Sequence, residues 1–148
     1  ASGVITTLEI DGATDIGADL VDADLFIVDD GAGGTNRKVA VSRIKTYVGG
    51  GTSWQSVKTD NYTASAGEGV FMNTTSGALT LTLPASPTIG DEVAFKDYAG
   101  AFDTNNLTIA RNSSKIEGGT ADLTVDVEGA GNTLVFTDST QGWLLRNK

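Results

Sequence analysis

The chain has no cysteine and no histidine. These two absences remove thiol nucleophiles, disulfide staples, serine–histidine triads, His/Cys zinc sites and histidine general bases. Lack of cysteine leaves the compartment open and says only that stability does not depend on oxidation. Proline is scarce: Pro84 and Pro87 are the only two. No apolar run approaches the roughly 18–20 residues that span a bilayer, so no membrane insertion is expected. No basic segment followed by an apolar one stands near the start, so no signal peptide is expected. Bases are missing from residues 1–30, which hold Glu9, Asp11, Asp15, Asp19, Asp22, Asp24, Asp29 and Asp30. Acids are missing from residues 37–45, which hold Arg37, Lys38, Arg43 and Lys45. Blocks of opposite sign can pair within one chain or between copies. The net charge of −9 argues against a nucleic-acid partner, which needs cations to displace phosphate counterions.

Glycine is what the chain has in excess: 19 residues, where average usage gives roughly 10. With many Thr, Asn and Asp, this composition implies many turns and many short strands. At 148 residues the chain is one ordinary domain, or a small domain with an added module.

The stretch Val70–Tyr98 sets the pattern for the second half. In Ala78–Pro84, Leu79, Leu81 and Leu83 alternate with Thr80 and Thr82, the period of a half-buried strand. Ser76-Gly77 lies between two such runs and reads as a hairpin turn. Further strands are expected at Trp54–Thr63, Val70–Thr75, Glu92–Tyr98, Leu107–Asn112, Leu123–Glu128, Thr133–Thr137 and Trp143–Arg146. Their spacing of about ten residues, with turn chemistry between them, predicts an antiparallel β-sandwich or barrel-like domain. The expected core is Val70, Met72, Leu79, Leu81, Leu83, Val93, Phe95, Leu107, Ile109, Leu123, Val125, Val127, Leu134, Phe136, Trp143 and Leu145.

The first half reads differently. A short strand is expected near Val4–Ile10. Asp24–Asp30 and Arg37–Val41 read as two strands around the Gly31–Asn36 loop. Ser42 reads as the N-cap of a short helix ending before Gly49. The predicted organisation is therefore mostly β: an N-terminal hairpin–helix module over 1–48, a Gly-rich linker over 49–53 and a β-domain over 54–148. The hairpin–helix unit is too small to bury a core alone and needs something to dock on.

The residue inventory offers little chemistry. Asp22 and Asp24 have the spacing of two calcium ligands, but Phe26 stands where a third is needed. Asp29-Asp30-Gly31 is a weaker version of the same idea. Asp91, Glu92, Asp97, Asp126 and Glu128 could supply a carboxylate pair for glycoside hydrolysis, yet they fall at strand starts and on exposed faces. Gly31–Gly34 is flanked by strands and lacks the lysine of a phosphate loop. The reading is no enzyme, no cofactor and no metal. Trp54, Tyr62 and Tyr98 are aromatic enough to stack on sugars; of these, Tyr62 and Tyr98 are the glycan-facing candidates, while Trp143 is expected in the core. The candidate oligomer or attachment residues are Phe26, Ile27, Val28, Arg37, Lys38, Arg43 and Tyr47.

Two stretches resemble a known group. Asp24–Val48, DLFIVDDGAGGTNRKVAVSRIKTYV, is similar to a short module of bacteriophage tail-fibre and related virion proteins. Tyr62–Lys148 resembles the C-terminal β-domains of phage fibres, particularly of marine and cyanobacterial phages. The matching segments are YTASAGEGVFMNTTSGALTLTLPASPTIGDEVAFKDYAG, NNLTIARNSSKIEG and TLVFTDSTQGWLLRN. The resemblance implies a homotrimeric, non-enzymatic virion component made in the host cytoplasm. Its partners would be its own copies, other virion proteins and a host-surface glycan. The chain lacks shaft repeats, heptads and collagen-like triplets, so it would be a short tail appendage. A capsid decoration protein, a head fibre and a carbohydrate-binding adhesion module are the alternatives.

Overall fold

The computed structural model describes residues 19–29, 36–48 and 51–147. The strand expected at Val4–Ile10 and residues 31–35 of the loop expected at Gly31–Asn36 lie outside them. The chain divides into two compact units, Ala1–Gly49 and Gly50–Lys148. Among the described residues the fold is mostly β with one short helix.

In the first unit, β1 (Leu25–Asp29) pairs antiparallel with β2 (Asn36–Ala40). Phe26 lies opposite Val39, Ile27 opposite Lys38 and Val28 opposite Arg37. Helix α1 (Val41–Val48) follows β2 without a loop. It starts one residue earlier than the sequence suggests, so Ser42 sits inside the first turn. The Val41 N–H donates to the Asp24 carbonyl at 3.0 Å, tying the helix start to the entry of β1.

The second unit holds two sheets. The five-stranded sheet runs β11 (Trp143–Leu145), β10 (Gly131–Phe136), β7 (Glu92–Asp97), β5 (Glu68–Met72), β3 (Ser53–Trp54). The four-stranded sheet runs β4 (Tyr62–Thr63), β6 (Leu79–Thr82), β8 (Leu107–Ala110), β9 (Leu123–Val125). From β3 to β8 the chain alternates between sheets, and each strand lies parallel to the one two positions earlier. Trp54 sits beside Gly69 and Gly69 beside Ala94; across the core, Tyr62 sits beside Leu81 and Leu81 beside Ile109. The chain thus winds as a flattened coil. The antiparallel strands β9, β10 and β11 then complete the two sheets.

This corrects the expectation of a wholly antiparallel domain. Alternation fixes the face a side chain takes, and is silent on the direction of the neighbouring strand. It also corrects the reading of Ser76-Gly77 as a hairpin turn, because β5 and β6 belong to different sheets. The connection is a corner. Asn73 Oδ1 accepts from the Thr75 N–H at 3.1 Å and the Thr75 hydroxyl at 2.8 Å, and the Gly77 N–H donates to the Thr74 carbonyl at 3.1 Å. The expected strand at Trp54–Thr63 is two short pieces. Residues 53–58 follow β5, with the Lys58 N–H donating to the Phe71 carbonyl at 2.8 Å, before the chain crosses to β4.

The core lies between the sheets. Val70, Met72, Val93, Phe95 and Leu134 from one side meet Leu81, Leu107 and Ile109 from the other, with Leu83 and Trp143. Each such side chain contributes about 1.5–3 kcal/mol on burial. Leu79, Leu123, Val125, Phe136 and Leu145 pack around the margin. Val127 does not join them: it is 62% exposed, because β9 ends at Val125 and the chain then turns away. Phe102 and Ile116 are buried from loops, where no strand period announces them.

Candidate functional site

Two surfaces stand out, one on each unit. The first is the β1–β2 hairpin. Its register puts Phe26, Val28, Val39 and Arg37 on one face and Leu25, Ile27, Ala40 and Lys38 on the other. In β1, Leu25 is 57% exposed, Phe26 39%, Ile27 69% and Val28 38%. Four consecutive apolar residues therefore meet solvent on both faces of a two-stranded ribbon. Arg37, Lys38 and Arg43 are exposed beside them. Tyr47 lies in the last turn of α1, and its side chain is outside the described set. The structure thus brings Phe26, Ile27, Val28, Arg37 and Lys38 together on one ribbon. Asp24 serves the local turn: Oδ2 accepts from the Val21 N–H at 2.8 Å.

The second surface is the outer face of the five-stranded sheet. Trp54 on β3 stacks on Phe71 of β5, with centroids 4.5 Å apart and planes 26° off parallel. The indole also lies directly over Gly69, where a Cβ would come within 2.6 Å of the ring. Beside this shelf an open groove of about 360 Å³ is lined by Trp54, residues 94–96 of β7, residues 131–133 of β10, Gly129 and Asn147. The Lys96 ammonium donates to the Gly129 carbonyl, and the Asn132 amide donates to the Asn147 carbonyl. Sequence reasoning picks out Trp54 as a stacking candidate but not Lys96, Asn132 or Thr133. Those residues meet Trp54 only through the β3–β5–β7–β10 strand order, which the sequence does not display.

Tyr62 and Tyr98 are placed apart. Tyr62, in β4 of the four-stranded sheet, is half-buried, and its hydroxyl donates to Glu68 Oε2 at 3.1 Å. Burial, then the hydrogen bond and charge of Glu68, push the phenol above its usual value. The Lys58 ammonium lies 4.4 Å from the ring centroid and covers one side of it. Tyr98 follows β7 of the other sheet and is 58% exposed.

Two of the acids named from sequence, Asp97 and Asp91, hold turns in place. Asp97, 4% exposed, accepts N–H bonds from Ala99, Gly100 and Ala101 through Oδ1 at 3.0–3.3 Å, and from Phe102 and Gly129 through Oδ2 at 3.2 and 2.9 Å. Burial pushes its carboxyl up, but the backbone donors together outweigh it and hold the group below its ordinary value. Asp91 closes the turn before β7 by accepting from the Thr88 N–H and hydroxyl. Asp126 and Glu128 are exposed. Among the described residues no group of three or more His, Cys, Asp or Glu could hold a metal ion, and no helix is long and apolar enough to cross a membrane.

No family model and no curated protein matches the chain. Among solved structures it is similar to one titled "Structure of a chaperone-substrate complex", at 12% identity and a TM-score of 0.35. The match covers 66% of this chain and 14% of that one. A likeness so distant says nothing about function.

Proposed function

We propose that the chain is a structural, non-enzymatic component of a tailed-phage particle: a short appendage of the tail-fibre type, assembled as a homotrimer. The hairpin–helix unit is its assembly and attachment end. The observation that carries this reading is the run Leu25–Val28, exposed on both faces of β1. A two-stranded ribbon is marginal in water, and an apolar ribbon with two open faces is stabilised by burial against other chains. Lys38 opposite Ile27 and Arg37 opposite Val28 put cations at the rim of the same surface. The acidic residues of 1–30 from a neighbouring copy complement them and set the register. The phage assignment itself comes from the likeness of Asp24–Val48 and Tyr62–Lys148 to fibre modules.

Gold-labelled antibody against the purified chain, applied to phage particles in the electron microscope, tests the assignment. Label at the tail supports the fibre reading. Label spread over the capsid moves the protein to the decoration or head-fibre class, and unlabelled particles overturn the virion reading.

A further inference from the structure

We propose that the groove on the outer face of the five-stranded sheet binds a pyranose oligosaccharide, with Trp54 as the stacking platform. The inference does not depend on how many copies assemble.

Three observations select this ligand. The first is the platform. Trp54 is 48% exposed, yet Phe71 and the Gly69 backbone fix its ring. A ring already held still loses little freedom on binding, and the apolar C–H face of a pyranose fits an aromatic face. The second is the polar lining. Lys96, Thr133 and Asn147 stand around a floor of Ala94 and Gly131. Sugar hydroxyls suit these polar groups, and the Trp54 face with Ala94 and Phe95 gives the apolar part of the lining that the C–H face of a sugar needs. Lys96 is pinned by the Gly129 carbonyl, and its ammonium keeps further protons to give. The third is charge. The chain carries −9, but no acid lines the groove. The whole molecule repels a polyanion such as nucleic acid, while the groove itself repels neither a neutral sugar nor one bearing a carboxylate. The volume, about 360 Å³, suits an organic ligand of a few rings at most. Strands β3, β7 and β10 carry most of the lining, with Gly129 and Asn147 added from the turns beside them, so most of the groove exists before binding.

Isothermal titration calorimetry of the full chain with maltoheptaose and with a galacturonic-acid heptamer tests the proposal. Saturable heat is expected with at least one of them. Trp54→Ala should weaken that binding at least about tenfold, and Trp54→Phe should retain part of it. Because Trp54→Ala could loosen β3, Thr133→Gln provides a second test from β10. It narrows the groove and should weaken binding by a similar factor with an unchanged thermal midpoint. No saturable heat with either sugar overturns the proposal, and so does wild-type affinity in Trp54→Ala or in Thr133→Gln. A change of oligomeric state in Trp54→Ala without any sugar response would place a second copy on this face and overturn it as well.

Discussion

Asp97 shows how much one side chain organises here. Its two oxygens collect five backbone N–H groups from two loops, 99–102 and the turn at Gly129. An asparagine in its place keeps one acceptor oxygen, brings two donors against donors, and strands several buried N–H groups. Asp97→Asn should cost about 2–4 kcal/mol, or roughly 10–20 °C in Tm for a domain of this size, read by thermal unfolding. The pH dependence follows from the same contacts. The folded carboxyl titrates below its unfolded value of about 4, so its contribution is complete above that value. It is lost as the pH falls through the lower folded value. The wild type should therefore lose stability on acidification below about pH 4 more steeply than Asp97→Asn does. Parallel curves for the two proteins would contradict this role. Gly142 is a second single-residue constraint. Its φ is +75°, and a Cβ would sit 2.0 Å from the Lys115 carbonyl oxygen. Gly67 has a φ of +84° with open space around it. Gly142→Ala should cost about 3 kcal/mol or more, if the protein folds at all, while Gly67→Ala costs only the backbone strain of about 1–2 kcal/mol. Equal Tm losses in the two variants would show that the Lys115 contact does not matter.

At the scale of elements, what the sequence shows and what it hides separate cleanly. Leu79, Leu81 and Leu83 state their face by alternation, and the β1 and β2 strands appear within a residue of their expected ends. Strand direction was hidden, because Leu81 looks the same beside a parallel Ile109 as beside an antiparallel partner. The corner at 73–78 was hidden because Ser76-Gly77 has hairpin composition, and only the sheet membership of β5 and β6 distinguishes the two. Phe102 and Ile116 sit in loops, which carry no period to reveal them, while the alternation that points to Val127 runs past the end of β9. The hairpin surface was legible, since Leu25–Val28 is an unbroken apolar run in a strand with no room for a core. The groove was half legible: Trp54 was visible, its neighbours across four strands were not. The hairpin supports a prediction at this scale. Ile27→Asp places a charge on the most exposed apolar position of β1. It should dissociate the proposed trimer without altering the Tm of the Gly50–Lys148 unit, read by light scattering and thermal unfolding of the same samples. A variant that assembles like the wild type would remove β1 from the interface.

At the scale of the whole molecule, the two units contribute differently. The Gly50–Lys148 unit wraps a continuous core between two sheets, with Trp54, Ile89, Tyr98 and Val127 left exposed outside it. The first unit exposes Leu25–Val28 on a ribbon that isolation does not favour. That contrast makes self-association through the first unit the centre of the account. The most direct measurement is the molar mass of the full chain by light scattering over a dilution series. The expected result for the proposed trimer is three times the 15.2 kDa chain mass, held to low concentration. A mass of 15.2 kDa at every concentration, with a fully folded chain, would contradict it.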